Sequence, residues 1–303
     1  MPVAKPRRLL IPTAQSLHDR LEREALSCAY SRRELDEVES GHADLIIEDG
    51  PNILTAISHG DAIVLPYSFE GARAFTDRFA RMFEKLLPLA RKAYPADTVR
   101  FRLEYGPARP QVEPVLRRLS FTPRKAWFRF SLEKGTPLQK AGAPRGVTFR
   151  DGGPADVDEL LAIDREAFPD TPVTRTGLLE QLETGGRVLI AERRAEPVGF
   201  ALYSVDDRDS GYLRTLAVRE TARDEGIGSA LTMRTAKAVF AEGAVRLDLR
   251  TDDDNGGAIR LYKRLGFEVA GSGRDYERPA DPRVIEAMRK QNEGTFIKFG
   301  GWR

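Results

Sequence analysis

A single cysteine, Cys28, stands among 303 residues, so the chain can close no internal disulfide. A lone thiol suits a reducing compartment, and the expectation is a cytoplasmic protein. Histidine is scarce too. His18, His42 and His59 all lie in the first half without metal-ligand spacing, and no CxxC pattern accompanies them, so no metal is expected. Charge of one sign is missing: 48 basic residues face 46 acidic ones, a net +2. That balance gives no electrostatic case for nucleic acid or a membrane surface as partner. Long apolar runs are also lacking. The opening MPVAKPRRLLIPTA holds only the short run LLIP, less than a signal-peptide core needs, and no stretch reaches transmembrane length. What remains is 41% hydrophobic and 31% charged, the composition of a globular chain, and its length points to two domains.

The stretch around which the chain is organised is YLRTLAVRETARDEGIGSAL, residues 212–231. It begins as a strand, with Leu213, Leu216, Ala217 and Val218 in a short apolar run. It ends as a helix, with Ile227, Leu231, Thr235 and Ala238 on one stripe. Between them lies Arg223-x-x-Gly226-x-Gly228. Glycines at a helix start let backbone approach a ligand, and the first N–H groups there lack internal acceptors. The positive end of the helix dipole makes this an anion site. A dinucleotide fingerprint would want G-x-G-x-x-G directly after the strand; here the third position is Leu231 and several residues intervene. A glycine-rich helix start without a ligand is the plainer alternative.

A second motif runs from Leu249 to Phe267: Asn255-x-x-Ala258-x-x-Leu261-Tyr262-x-x-x-Gly266-Phe267. The two motifs in this order resemble motifs A and B of the GCN5-related N-acetyltransferases (GNAT). The resemblance covers the second half well and the first half weakly. It implies acetyl-CoA as cosubstrate, direct acetyl transfer to an amine acceptor, and a monomer or homodimer. It implies that Leu216, Ala217, Val218, Arg223, Asp224, Glu225, Gly226, Ile227, Gly228, Ser229, Asn255, Ala258 and Tyr262 bind the cosubstrate. Tyr262 would also be the acid that protonates the leaving thiolate; ordinary helix packing is its other reading. One departure stands out. Asp224 and Glu225 lie where the family usually carries glycine or a base, and two carboxylates repel a pyrophosphate. Arg219 and Arg223 would offset them. Tyr212, Asp209 and Asp248 remain open as the base. No Ser-His-Asp or Cys-His arrangement supports a covalent acyl-enzyme. An acyl-CoA-binding regulatory protein without catalysis is the alternative function.

The halves repeat each other. Sliding the chain by 146 residues sets Val99 on Val245, Leu103 on Leu249, Arg118 on Arg264 and Phe121 on Phe267. The expected architecture is therefore α/β, a mixed α+β sheet in two tandem acetyltransferase folds. Residues 1–135 would be a degenerate copy, 136–146 a linker, 147–280 the active copy and 281–303 a tail. The first copy lacks G-x-G after its strand, has Leu116 in place of Tyr262, and carries Pro110 and Pro114 where its helix should run, which threatens a kink. Locally, the pattern predicts a helix from Thr13 to Tyr30 and strands at Ala43–Glu48, Asn52–Ser58 and Ala62–Tyr67.

Overall fold

The computed structural model describes residues 17–21, 26–28, 32–59, 62–137, 144–169, 172–206, 210–288 and 290. The chain opens with α1 (Leu17–Leu21), β1 (Leu26–Cys28), α2 (Arg32–Gly41), β2 (Ile46–Asp49), β3 (Asn52–Thr55), β4 (Ile57–His59), β5 (Ala62–Val64), β6 (Tyr67–Phe69) and α3 (Ala72–Ala93). Next come β7 (Thr98–Glu104), α4 (Arg109–Arg118), β8 (Thr122–Glu133), β9 (Val147–Gly152), α5 (Val157–Ala167) and α6 (Arg175–Glu183). The remainder is β10 (Arg187–Arg193), β11 (Glu196–Asp206), β12 (Ser210–Val218), α7 (Ile227–Ala241), β13 (Arg246–Asp252), α8 (Gly256–Arg264) and β14 (Glu268–Pro279). Asp209, several linker positions and the tail aromatics Phe296, Phe299 and Trp302 lie outside the described residues.

Two compact units emerge. The first is 1–57 with 65–94; the second is 58–64 with 95–303. In the first unit, four antiparallel strands in the order β1-β6-β3-β2 meet α3. Its core is aromatic: Phe75 stacks on Phe79 at 4.4 Å and Phe79 on Phe83 at 5.8 Å. The spacing of 4 along α3 puts these rings on one stripe. Here the helix predicted through Tyr30 is corrected. Leu26 to Cys28 form an edge strand against Tyr67 to Phe69. Leu26 and Cys28 are both buried, as a period of two requires, so sheet pairing overrides local helix preference.

The second unit holds one ten-stranded sheet, in the order β4-β5-β7-β14-β8-β13-β12-β11-β10-β9. The 146-residue shift carries the bounds of β8 onto those of β14, and Arg109–Arg118 onto 255–264, where α8 runs. The two copies of the last strand have changed places. β14 pairs with β7 of the first half, and β8 pairs with β13 of the second. The two exchanged strands also pair with each other. This exchange explains why the compact units do not divide at residues 136–146: the sheet runs through both halves. Arg102 grips Asp275 with Nε at 3.0 Å and Nη2 at 3.2 Å, and Trp127 Nε1 donates to the same carboxylate at 3.1 Å.

Helix α4 runs unbroken from Arg109 to Arg118 despite its two prolines. Pro110 lies in the first turn, where its missing N–H has no acceptor to lose, and Pro114 forfeits only the bond to residue 110. Val112, Val115 and Leu116 stay buried beneath the helix. In the second half, α7 and α8 cover one face of β12 and β13, with Leu213, Leu231, Leu247, Leu249 and Tyr262 in that core. Helices α5 and α6 cover the opposite face of β10, β11 and β12, over Val188, Ile190, Phe200, Leu202 and Ala217. No described helix is long and apolar enough to cross a membrane.

Candidate active site

The parallel pair β12 and β13 is in register over only four positions, from Ser210 opposite Arg246 to Leu213 opposite Leu249. Beyond Leu213 the strands part. A bulge between Leu202 and Tyr203 on the β11 side falls at Arg214 and turns β12 away. Leu216, Ala217 and Val218 pair with β11 through Ala201, Phe200 and Gly199. Their other edge borders a gap between the strands.

The gap leads to the start of α7. After a 3-10 turn at Glu220–Ala222, Asp224 adopts φ 62° and Gly226 φ 84°. Aspartate tolerates that left-handed region and glycine has no penalty there. Gly226 is the N-cap and provides no side-chain cap. Ala230 N–H is the one that returns to Gly226 O, so the N–H groups of Gly226, Ile227, Gly228 and Ser229 have no acceptor within the helix. Ile227 is buried and pins the turn from below, while Arg223, Asp224, Glu225 and Gly226 are exposed. A Cβ on Gly228 would meet Leu261 Cδ1 at 3.3 Å and the Leu216 and Val218 side chains at 3.9 Å. Gly228 therefore sits where the end of β12, the start of α7 and α8 converge. These amides stand at the positive end of a 15-residue helix, a cradle with the chemistry to take an anion.

One of the two acids beside this turn, Glu225, departs from the sequence expectation. Glu225 is turned to β10, where Arg193 Nη1 meets it at 3.2 Å and Nη2 also bonds to it. That hydrogen bond holds the Glu225 carboxyl below the usual range. Its charge is thus answered by Arg193, a partner no local pattern announces. Arg219, expected to offset the acids, is committed elsewhere. Nη1 donates to Glu166 at 3.1 Å, Nε to Pro197 O at 3.1 Å, and Nη2 to Glu159. It ties α5 to the end of β12. Arg223 Nε donates to Val218 O at 3.3 Å and remains beside the cradle.

Asn255 is the N-cap of α8, its Oδ1 accepting from Ala258 N–H at 3.1 Å. The cap explains its position without a ligand. Asn255→Ala should cost about 1 kcal/mol of stability, read by denaturant titration. Ala258 follows on the half-buried side of α8. Tyr262 lies one turn further, 6% exposed, with its ring 5.9 Å from Phe130 and 5.6 Å from Phe267. Burial pushes its phenol well above the ordinary value, and Tyr212 adds to this. Burial thus favours the protonated phenol. Tyr212 and Asp248 face each other across the register of β12 and β13. Among the described residues no group of three or more His, Cys, Asp or Glu is placed to hold a metal.

Residues 155–267 match the acetyltransferase (GNAT) family model. Two mycothiol acetyltransferases are among the similar curated proteins. That of Frankia casuarinae is 30% identical over 203 residues, covering 56% of this chain and 57% of the relative. That of Streptomyces avermitilis is 32% identical over 145 residues, 44% of this chain and 46% of the relative. The chain thus spans about half the length of the curated relatives it matches. A GCN5-related N-acetyltransferase from Sphaerobacter thermophilus superposes with TM-score 0.60 at 19% identity, covering 76% of this chain and 77% of that one. A tandem GNAT protein from the clavulanic acid biosynthesis pathway gives 0.57 at 15% identity, covering 78% and 82%. At those identities the likeness is one of fold. With both motifs on one splayed strand pair, and the family model over the same residues, residues 155–267 form a region of the GNAT acetyltransferase type.

Proposed function

We propose that the second half binds acetyl-CoA and transfers its acetyl group directly to a primary amine of a small molecule or peptide. The observation that carries this is the gap between β12 and β13 opening onto the four unpaired amides of Gly226 to Ser229. The cradle would hold the pyrophosphate, and the free edge of Leu216 to Val218 would line the arm leading to the thioester. Donors on that edge would meet the carbonyl oxygen as it gathers charge. We also propose that 1–135 and 147–280 are the two copies, joined by 136–146 and followed by the tail 281–303. The first copy would bind no acetyl-CoA, so calorimetry should find one site per chain.

Tyr262 is the proposed acid for the departing thiolate. Tyr262→Phe keeps the ring against Phe130 and Phe267, so packing and cosubstrate affinity should hold. Turnover should fall by roughly 10²-fold, in kcat and kcat/KM together. CoA is a good leaving group, with a thiol pKa near that of cysteine, about 8.5, which sets the scale of help it needs. Near-native kcat, measured where chemistry limits the rate, would make Tyr262 a packing residue. Its burial favours a second reading, a regulatory protein that binds acyl-CoA without turnover. Multiple-turnover release of CoA with a panel of amines separates the two.

A further inference from the structure

Between the end of β12 and the start of α7 the chain has little packing to hold it. Of residues 220–226 only Ala222 is buried. A segment with so few buried contacts is locally weak, so its conformation depends on how its ends are tied. The far end is tied by Ile227, buried in the core under α7. The near end is tied from another element. Glu166, in the last turn of α5, spans the junction with both carboxylate oxygens. Its Oε1 accepts the N–H of Glu220 at 2.5 Å, and its Oε2 accepts Arg219 Nη1 at 3.1 Å.

The Glu220 N–H opens the 3-10 turn and has no acceptor inside it, so Glu166 caps that turn. From there backbone bonds run on toward the cradle. Ala222 N–H donates to Arg219 O at 3.0 Å, and Arg223 N–H to Glu220 O at 3.2 Å. The left-handed residues Asp224 and Gly226 follow directly. The anchor itself is firm, because Val157, Leu160, Leu161 and Ile163 seat α5 in the core. Glu159 supplies an internal comparison. It also bonds to Arg219, through Nη2, but its bond stops at that side chain.

We infer that Glu166 is a positioning residue for the cosubstrate cradle. By capping the 3-10 turn it sets where the amides of Gly226 to Ser229 stand. This rests on the acetyl-CoA reading and adds to it a residue of α5 that lies outside both sequence motifs. Glu166 acts through the backbone of residues 220–223 and makes no contact with the cosubstrate. A carboxylate bond to a backbone N–H is roughly twice as strong as a neutral one, whereas the exposed ion pair with Arg219 adds little to stability. The effect of removing Glu166 therefore falls on affinity, with folding nearly unchanged.

Calorimetry should find acetyl-CoA bound about 10-fold more weakly by Glu166→Ala than by the wild type. Glu166→Gln keeps an oxygen for the Glu220 N–H and should stay within about 3-fold of the wild type. Glu159→Ala should bind as the wild type does. With an amine acceptor, the loss in Glu166→Ala should fall on KM for acetyl-CoA, with kcat at saturation unchanged. Amide hydrogen exchange gives a readout that needs no ligand. In Glu166→Ala the amides of Glu220, Arg223 and Ala230, the last bonded to Gly226 O, should exchange faster, while those of α5 should not. Glu166→Gln should restore their protection. This exchange pattern in a protein that binds no acetyl-CoA would keep the inference and remove the acetyl-CoA reading. Unchanged exchange or full affinity in Glu166→Ala, or an equal loss of affinity in Glu159→Ala, would overturn it.

Discussion

Gly228→Val should remove acetyl-CoA binding while the fold persists. Gly228 is the second residue of α7, between the side chains of Leu216, Val218 and Leu261. A Cβ there is already tight against Leu261 Cδ1 at 3.3 Å, and the two γ-methyls of valine would extend into the space beside the amides. The pyrophosphate needs that approach, because its oxygens must come within hydrogen-bond reach of the N–H groups. The atom crowded in the protein is the end of a flexible leucine, and valine in a helix costs under about 1 kcal/mol. The thermal midpoint should therefore drop by only a few degrees. Affinity should fall by about 100-fold or more, equivalent to about 2.7 kcal/mol. Calorimetry on the folded variant decides it. Unchanged affinity would mean the cosubstrate does not use this helix start, and would remove the basis of the proposed function.

Cutting the chain after residue 135 should leave β8 without protection. In the intact protein its twelve residues pair with β13 on one edge and β14 on the other, and both lie beyond the cut. Trp127, Phe130 and Leu132, all buried in the sheet, would lose the strands that cover their flanks. β7 would lose β14 as well, and with it the Arg102–Asp275 pair. Unpaired strand edges carrying apolar side chains invite aggregation. Amide hydrogen exchange on the fragment should find no protection from Thr122 to Glu133. Refolding it together with a 136–303 fragment should restore that protection. A fragment that protects β8 by itself, by folding it onto β7, would show that the strand exchange is dispensable.

The glycine turn and the α8 motif are legible in sequence because each is a local device. Gly226 is needed where φ is positive, Asn255 caps the helix it precedes, and the stripe through Ala258, Leu261 and Tyr262 follows from helical period. The 146-residue repeat is legible for the same reason, since like patterns give like elements whatever surrounds them. Exchange of β8 and β14 is not. The two strands carry matching patterns in matching positions, and either edge offers the same backbone hydrogen bonds. Which neighbour each takes is decided by long-range pairing. The same holds for charge. Sequence places Glu225 just before the start of α7, but only the packing of β10 against that turn brings Arg193 to it, and only the approach of α5 draws Arg219 away. Leu26 to Cys28 became a strand because a neighbouring edge was open to it. Asp248 shows the division most sharply. Its alternation along β13 fixes which face it takes, while its burial and its unpaired oxygen arise from strands more than a hundred residues away.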